Sequence, residues 1–147
     1  MNQADLVDAI RANHEIFMAT SDRLEATLTA HRLTHATAQA LWAIDPLGPA
    51  QSMKTLAERL FCNAPNLSFI ANQLVERGLV ERSVDPADRR GRVLLLTEDG
   101  RRVQRKVVEA TLEASPFAQC PPEVLREVAT LLRQVAAGTG QRADSPD

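Results

Sequence analysis

Near the start of the chain, Ile10, Phe17, Leu24 and Leu28 recur with His14 and Ser21 between them, in steps of four and three. That spacing is one face of a helix with 3.6 residues per turn. It predicts a single long helix over about Ala4–Ala30 whose near-heptad seam suits packing against another helix. Thr34 caps a second helix with Ala38, Leu41, Trp42 and Ile44 on its apolar side. The run Asp45-Pro46-Leu47-Gly48-Pro49 ends it, since proline and glycine both break helices. Ser52 caps a short third helix, MKTLAERLF, with Leu56 and Leu60 facing inward. Asn63 caps a fourth, with Pro65 in the first turn, where its missing N–H costs little. Leu67, Ile70, Ala71 and Leu74 form that helix's buried stripe, and Gly78 stops it. Two short helices a few residues apart make a helix-turn-helix unit.

Two strand-like apolar runs follow, Val80–Val84 and Val93–Leu96, around a tip that carries Arg89, Arg90 and Arg92 beside Asp85 and Asp88. This predicts a hairpin with a cationic tip. Thr97-Glu98-Asp99 caps a fifth helix, with acids where the helix dipole favours them, running to about Ser115 before Pro116. Pro121-Pro122-Glu123 opens a sixth, with Val124, Val128, Leu131 and Val135 along one side. Residues 139–147 have a disordered composition. No repeat and no interdomain linker is visible, so residues 1–147 form one domain with a central lobe at 34–100 and helical flanks at 1–33 and 101–138. The fold class is mainly α with a small β-hairpin wing (α+β), a winged helix-turn-helix.

Length and charge narrow the function. At 147 residues the chain can bury a sizeable core. No run of about 18 apolar residues and no signal-like N-terminus occurs, which makes a cytoplasmic location and no membrane contact the expectation. Net charge is −2, but it is unevenly spread. Arg77–Lys106 holds nine basic and five acidic residues, whereas Met1–Met53 and Val107–Asp147 each hold three basic and six acidic ones. A cationic middle between acidic ends points to a localised polyanion-binding surface. No nucleophile elbow, phosphate loop, dinucleotide fingerprint or metalloprotease motif is present, so catalysis finds no support and no cofactor is expected.

The segments LAERL at 56–60, LVERGLVER at 74–82, DPADRR at 85–90 and LTEDG at 96–100 resemble the MarR family of bacterial transcriptional regulators. The matched core spans about Thr34–Arg105, and length and flanking helices fit as well. The resemblance implies a homodimeric regulator of double-stranded DNA with a pseudo-palindromic site, usually a repressor released by a small aromatic or anionic effector. It implies that the first, fifth and sixth helices interlock with a partner's, with Leu6, Ile10, Phe17, Val124, Val128, Leu131 and Val135 as the apolar contacts. It also implies an effector pocket between those helices and the DNA-binding lobe, for which His14, Phe17, Met18, His35 and Trp42 are the candidates.

The candidate DNA contacts follow from the chemistry of base edges. On the fourth helix these are Pro65, Asn66, Ser68, Phe69, Asn72 and Gln73. Asn and Gln pair with adenine through two hydrogen bonds, and Phe contacts a thymine methyl. Ser52 and Thr55 lie at the start of the third helix. Family members often place basic residues near Phe69 and Gln73, but here no Lys or Arg lies between Ala64 and Glu76. Phosphate attraction is therefore expected from Arg77, Arg82, Arg89, Arg90 and Arg92, with Asp88 bracing a neighbouring arginine through a bidentate contact. Arginine in a narrow A·T-rich minor groove meets an enhanced negative potential.

Three weaker signals remain. Cys62 sits just before the fourth helix, where a thiolate is stabilised, which makes a thiol-based redox switch one alternative. Cys120 has less to support it, and both are expected to be free thiols in a reducing compartment. His31 and His35 have a metal-like spacing but straddle the predicted helix start at Thr34, so no metal site is expected. A second alternative is a winged-helix module that binds a protein and not DNA, motivated by the acidic net charge and the recognition helix without Lys or Arg.

Overall fold

The computed structural model describes residues 2–139. In order, the elements are α1 (Gln3–Ala30), α2 (His35–Ala43), α3 (Met53–Arg59), α4 (Ala64–Glu76), β1 (Val80–Val84), β2 (Arg92–Leu96), α5 (Glu98–Ala114), a 3-10 turn (Pro116–Gln119) and α6 (Pro122–Ala137). This is the mainly helical winged helix-turn-helix that the hydrophobic pattern predicts. Residues 140–147, most of the predicted tail, lie outside the described part.

Side-chain caps set the starts of the central helices. Thr34 Oγ1 accepts from the Thr37 N–H at 3.2 Å, Ser52 Oγ from the Thr55 N–H at 3.1 Å, and Asn63 Oδ1 from the Asn66 N–H at 2.9 Å. Each satisfies an amide that has no partner inside its helix. α4 stops at Gly78, whose φ of +68° suits glycine, and the Leu79 N–H returns to the Leu74 carbonyl at 3.0 Å.

Leu41, Leu56, Leu67, Leu74, Val80 and Leu94 are almost wholly buried and form the centre of one core shared by α2, α3, α4 and the hairpin. The α1 seam splits. Leu24 and Leu28 enter that core with Val103 and Val107 of α5, while Ile10 and Phe17 stay 61% and 54% exposed. α6 buries nothing. Trp42, expected on the apolar side of α2, is 45% exposed, because α2 buries Thr37, Ala38, Ala40 and Leu41 instead.

β1 and β2 pair antiparallel from Val80 opposite Leu96 to Val84 opposite Arg92. A bridge between Ser52 and Val93 adds a short third contact and ties the start of α3 to the hairpin.

α5 fixes the loop after α2. The buried Gln104 side-chain amide donates to the Leu41 and Ile44 carbonyls, both at 2.7 Å, and Arg101 Nη1 donates to the Pro46 carbonyl at 2.9 Å. A C-terminal helix end in an apolar setting otherwise leaves carbonyls unpaired. Gln104→Leu strands both acceptors and is expected to cost about 2 kcal/mol. A melt at fixed protein concentration checks this, and an unchanged midpoint removes Gln104 as the tie.

Candidate nucleic-acid interface

α4 buries Leu67, Ala71 and Leu74 against the core, so its opposite face is free. Pro65, Asn66, Ser68, Phe69 and Asn72 are all exposed there, and Gln73 is half-buried. The helix is fixed from behind and capped by Asn63 in front, so these polar side chains are presented by a rigid element.

The hairpin tip is stiffened by its own acids. Asp85 Oδ1 accepts from the Ala87 N–H at 2.9 Å, and Asp88 Oδ1 accepts from the Arg90 N–H at 3.0 Å. The Asp85 N–H meets the Gly91 carbonyl at 3.1 Å, and the Gly91 N–H meets the Asp88 carbonyl at 2.9 Å. This corrects one expectation: Asp88 braces the backbone of the turn and not a guanidinium. A short carboxylate reaches the amide two residues on more readily than a flexible arginine head.

The wing arginines divide into two kinds. Arg92 Nη1 donates to the Gly91 carbonyl at 3.0 Å, and Arg82 Nη2 donates to the Ser68 carbonyl of α4 at 3.2 Å. Arg82 thereby links hairpin and recognition helix. The guanidinium groups of Arg89 and Arg90 have no protein partner among the described residues. Both residues are exposed at the tip, where a phosphate or a minor groove could reach them.

Arg77 departs from expectation. Its guanidinium donates to the carbonyls of His31 and Arg32 in the turn between α1 and α2. Desolvation, and secondarily the charge of Arg32, lowers its pKa from the ordinary arginine value, though arginine stays charged. The side chain caps a left-handed turn in which Arg32 has φ of +53°. Arg77→Ala is expected to lower stability by about 1 kcal/mol. It should leave the salt dependence of DNA binding unchanged, and a salt slope reduced by about one unit would return Arg77 to the interface.

Ser52 and Thr55 are bonded to each other at the α3 cap, where the Ser52 hydroxyl donates to Thr55 Oγ1 at 3.0 Å. Together α3, the start of α4 and the hairpin enclose an open groove of about 1080 Å³, lined by Lys54, Ser68, Arg82, Arg90 and Arg92 among others. Lys54 was missed in the sequence. Its signal was the phase of α3, since facing Leu56 inward turns Lys54 and Glu58 outward together.

A second, smaller cavity of about 530 Å³ lies between α1, α2, α3 and α5. Phe17, His35 and Trp42, three of the five effector-pocket candidates, line it together with Gln39, Arg59 and Thr111. His14 and Met18 are not among its walls. Met18 sits about 100° round the helix from Phe17, and His14 lies nearly a turn beyond it. His35 Nε2 is 3.8 Å from Glu25 Oε2, and the His31 carbonyl is taken by Arg77. Among the described residues no cluster of three or more His, Cys, Asp or Glu is placed to hold a metal. Cys62 and Cys120 are both unpaired and half-buried. No described helix is long and apolar enough to cross a membrane.

The family model described as MarR family matches residues 31–91, which contain α2, the helix-turn-helix and the first part of the wing. Among solved structures, the chain is similar to AbsC, a MarR family transcriptional regulator from Streptomyces coelicolor. Identity is 26%, coverage is 96% of this chain and 98% of that one, and the TM-score is 0.76. It is likewise similar to Sco3205, a MarR family regulator from Streptomyces coelicolor in complex with DNA, at 26% identity over 94% of this chain and 89% of that one, with a TM-score of 0.72. CouR from Rhodococcus jostii RHA1, bound to p-coumaroyl-CoA, shares the fold at 20% identity and a TM-score of 0.71, covering 99% of this chain and 96% of its own. No curated protein sequence matches the chain.

Proposed function

Because the chain belongs to the MarR family of transcriptional regulators, we propose that it is a cytoplasmic, homodimeric repressor that binds a pseudo-palindromic DNA site and is released by a small effector. The observation that carries the DNA reading is the convergence of Lys54, Arg82, Arg90 and Arg92 on one groove beside the free polar face of α4. In this reading Asn66, Ser68, Phe69, Asn72 and Gln73 address base edges in the major groove. The unpartnered Arg89 and Arg90 reach phosphate or the adjacent minor groove. Sco3205, a protein of the same fold, has been solved in complex with DNA, which supports the DNA reading as such.

Dimerisation is supported by apolar surface left open on the flanking helices. Leu6, Ile10 and Phe17 on α1, and Val124, Leu131 and Val135 on α6, are between 41% and 72% exposed, and Val128 is half-buried beside them. On α6 they form a stripe with Leu125 and Leu132, and no residue of that helix is buried among the described residues. A second copy would cover it and set two recognition helices about one DNA turn apart. Release follows if an aromatic or anionic ligand in the smaller cavity favours a lobe spacing that fits the operator poorly. CouR, bound to p-coumaroyl-CoA, illustrates such a ligand on this fold.

Sedimentation combined with footprinting on the protein's own upstream region tests the arrangement. The expected result is a dimer at micromolar concentration protecting two half-sites about 10 base pairs apart. A monomer, or a single unpaired protected segment, contradicts it.

A further inference from the structure

Phe61, in the turn between α3 and α4, has a φ of +51°. That is the left-handed region, which a bulky side chain avoids and where a helix-turn-helix turn often uses glycine. The turn is held by bonds from the Phe61 N–H to the Glu58 carbonyl at 3.2 Å and from the Cys62 N–H to the Ala57 carbonyl at 3.0 Å. The ring is 84% exposed, so packing within the chain does little to offset the strained backbone. An exposed aromatic on a strained residue is an outlier that points toward a bound partner.

Its surroundings identify that partner. Phe61 lines the same groove as Lys54, Arg82, Arg90 and Arg92, with Glu58 as the one acid among the described residues that line it. It stands two residues before Asn63, the cap of the recognition helix. An apolar ring set among four cations, beside the end of the helix that enters the major groove, suits the edge of a duplex. We propose that Phe61 is a further DNA-contacting residue whose ring packs on a thymine methyl or a deoxyribose as α4 seats. The inference rests on the reading of this groove as the DNA interface. Aromatic and other apolar side chains make such contacts with thymine methyls and base steps. They displace no condensed counterion, so they add affinity without adding salt dependence.

Phe61→Gly and Phe61→Ala, measured by thermal melting and by anisotropy titration against a duplex from the protein's own upstream region, test this. Glycine adopts the left-handed turn freely. The Gly variant is therefore expected to melt at or above the wild-type temperature while both variants bind DNA about five- to tenfold more weakly, with the salt slope unchanged. Unchanged affinity overturns the inference and leaves Phe61 as a wall of the smaller cavity, which it also borders. Weaker binding accompanied by a lower melting temperature in the Gly variant, or by a reduced slope, also overturns it by revealing a general distortion. If the wild type does not prefer the duplex, the interface reading itself fails, an outcome distinguishable from the other two.

Discussion

Gly100→Ala is expected to destabilise the protein by about 3 kcal/mol or more, lowering the melting midpoint by roughly 6–12 °C. A Cβ at residue 100 would stand 1.8 Å from the Leu79 carbonyl oxygen and 2.9 Å from its carbon. Both are backbone atoms, so no side-chain rotation relieves the clash. The Leu79 carbonyl accepts the Thr97 N–H at 3.1 Å, and Thr97 Oγ1 donates to the Gly78 carbonyl at 2.6 Å while accepting from the Gly100 N–H at 2.9 Å. The start of α5 is thereby drawn onto the loop between α4 and β1, and glycine at 100 permits the approach. Moving α5 away would break these bonds and shift Val103 and Gln104 out of the core. Gly91→Ala is the control: the nearest atom to its Cβ is 3.4 Å away, an ordinary contact, and a change within about 0.5 kcal/mol is expected. Melts of both variants at the same protein concentration decide the matter, and similar midpoints would remove the close approach as the reason for glycine.

Removing both arginines at the wing tip, Arg89→Ala with Arg90→Ala, is expected to weaken specific DNA binding about 100-fold at ~0.1 M salt for each wing engaged, roughly tenfold for each lost charged contact. Each guanidinium that meets a phosphate contributes about 0.9 to the slope of log affinity against log salt. The slope should therefore fall by about two for each wing engaged. Neither side chain has a protein partner among the described residues, so stability should move by less than about 0.5 kcal/mol. Arg82 and Arg92 are poorer choices for this test because their guanidinium groups also hold the Ser68 and Gly91 carbonyls. Their removal mixes a structural loss with a binding loss. An unchanged slope in the double variant would take the wing tip out of the mechanism.

The contrast between these arginines marks how far the sequence could be read. Capping residues and helix breakers act within one turn of chain, so Thr34, Ser52, Asn63, Gly78 and Thr97 were legible, and with them the element order. Contacts between distant elements were not. LTEDG announced a helix cap, but nothing in it told of the Leu79 backbone that excludes a side chain at Gly100. Gln104 looked like any surface polar residue on α5 until its amide met two carbonyls 63 and 60 residues away. Arg77 was indistinguishable from a phosphate-binding arginine because its acceptors lie in the turn after α1. Asp88 stands among three arginines in the sequence, and only the folded turn shows that the Arg90 backbone amide is its partner. Phe61 reads from the sequence as the last residue of α3, and only the backbone reveals that the helix ends at Arg59 and that Phe61 takes a left-handed turn.

Specific binding to DNA is the claim on which the rest depends. Fluorescence anisotropy with a labelled duplex from the protein's own upstream region, titrated at about 0.15 M salt with and without excess unrelated duplex, measures it directly. The account predicts a preference of at least about 10³-fold over unrelated DNA, with a salt slope that the wing substitutions reduce. Equal affinity for both duplexes, or no binding to either, would contradict it and favour a winged helix that binds another protein.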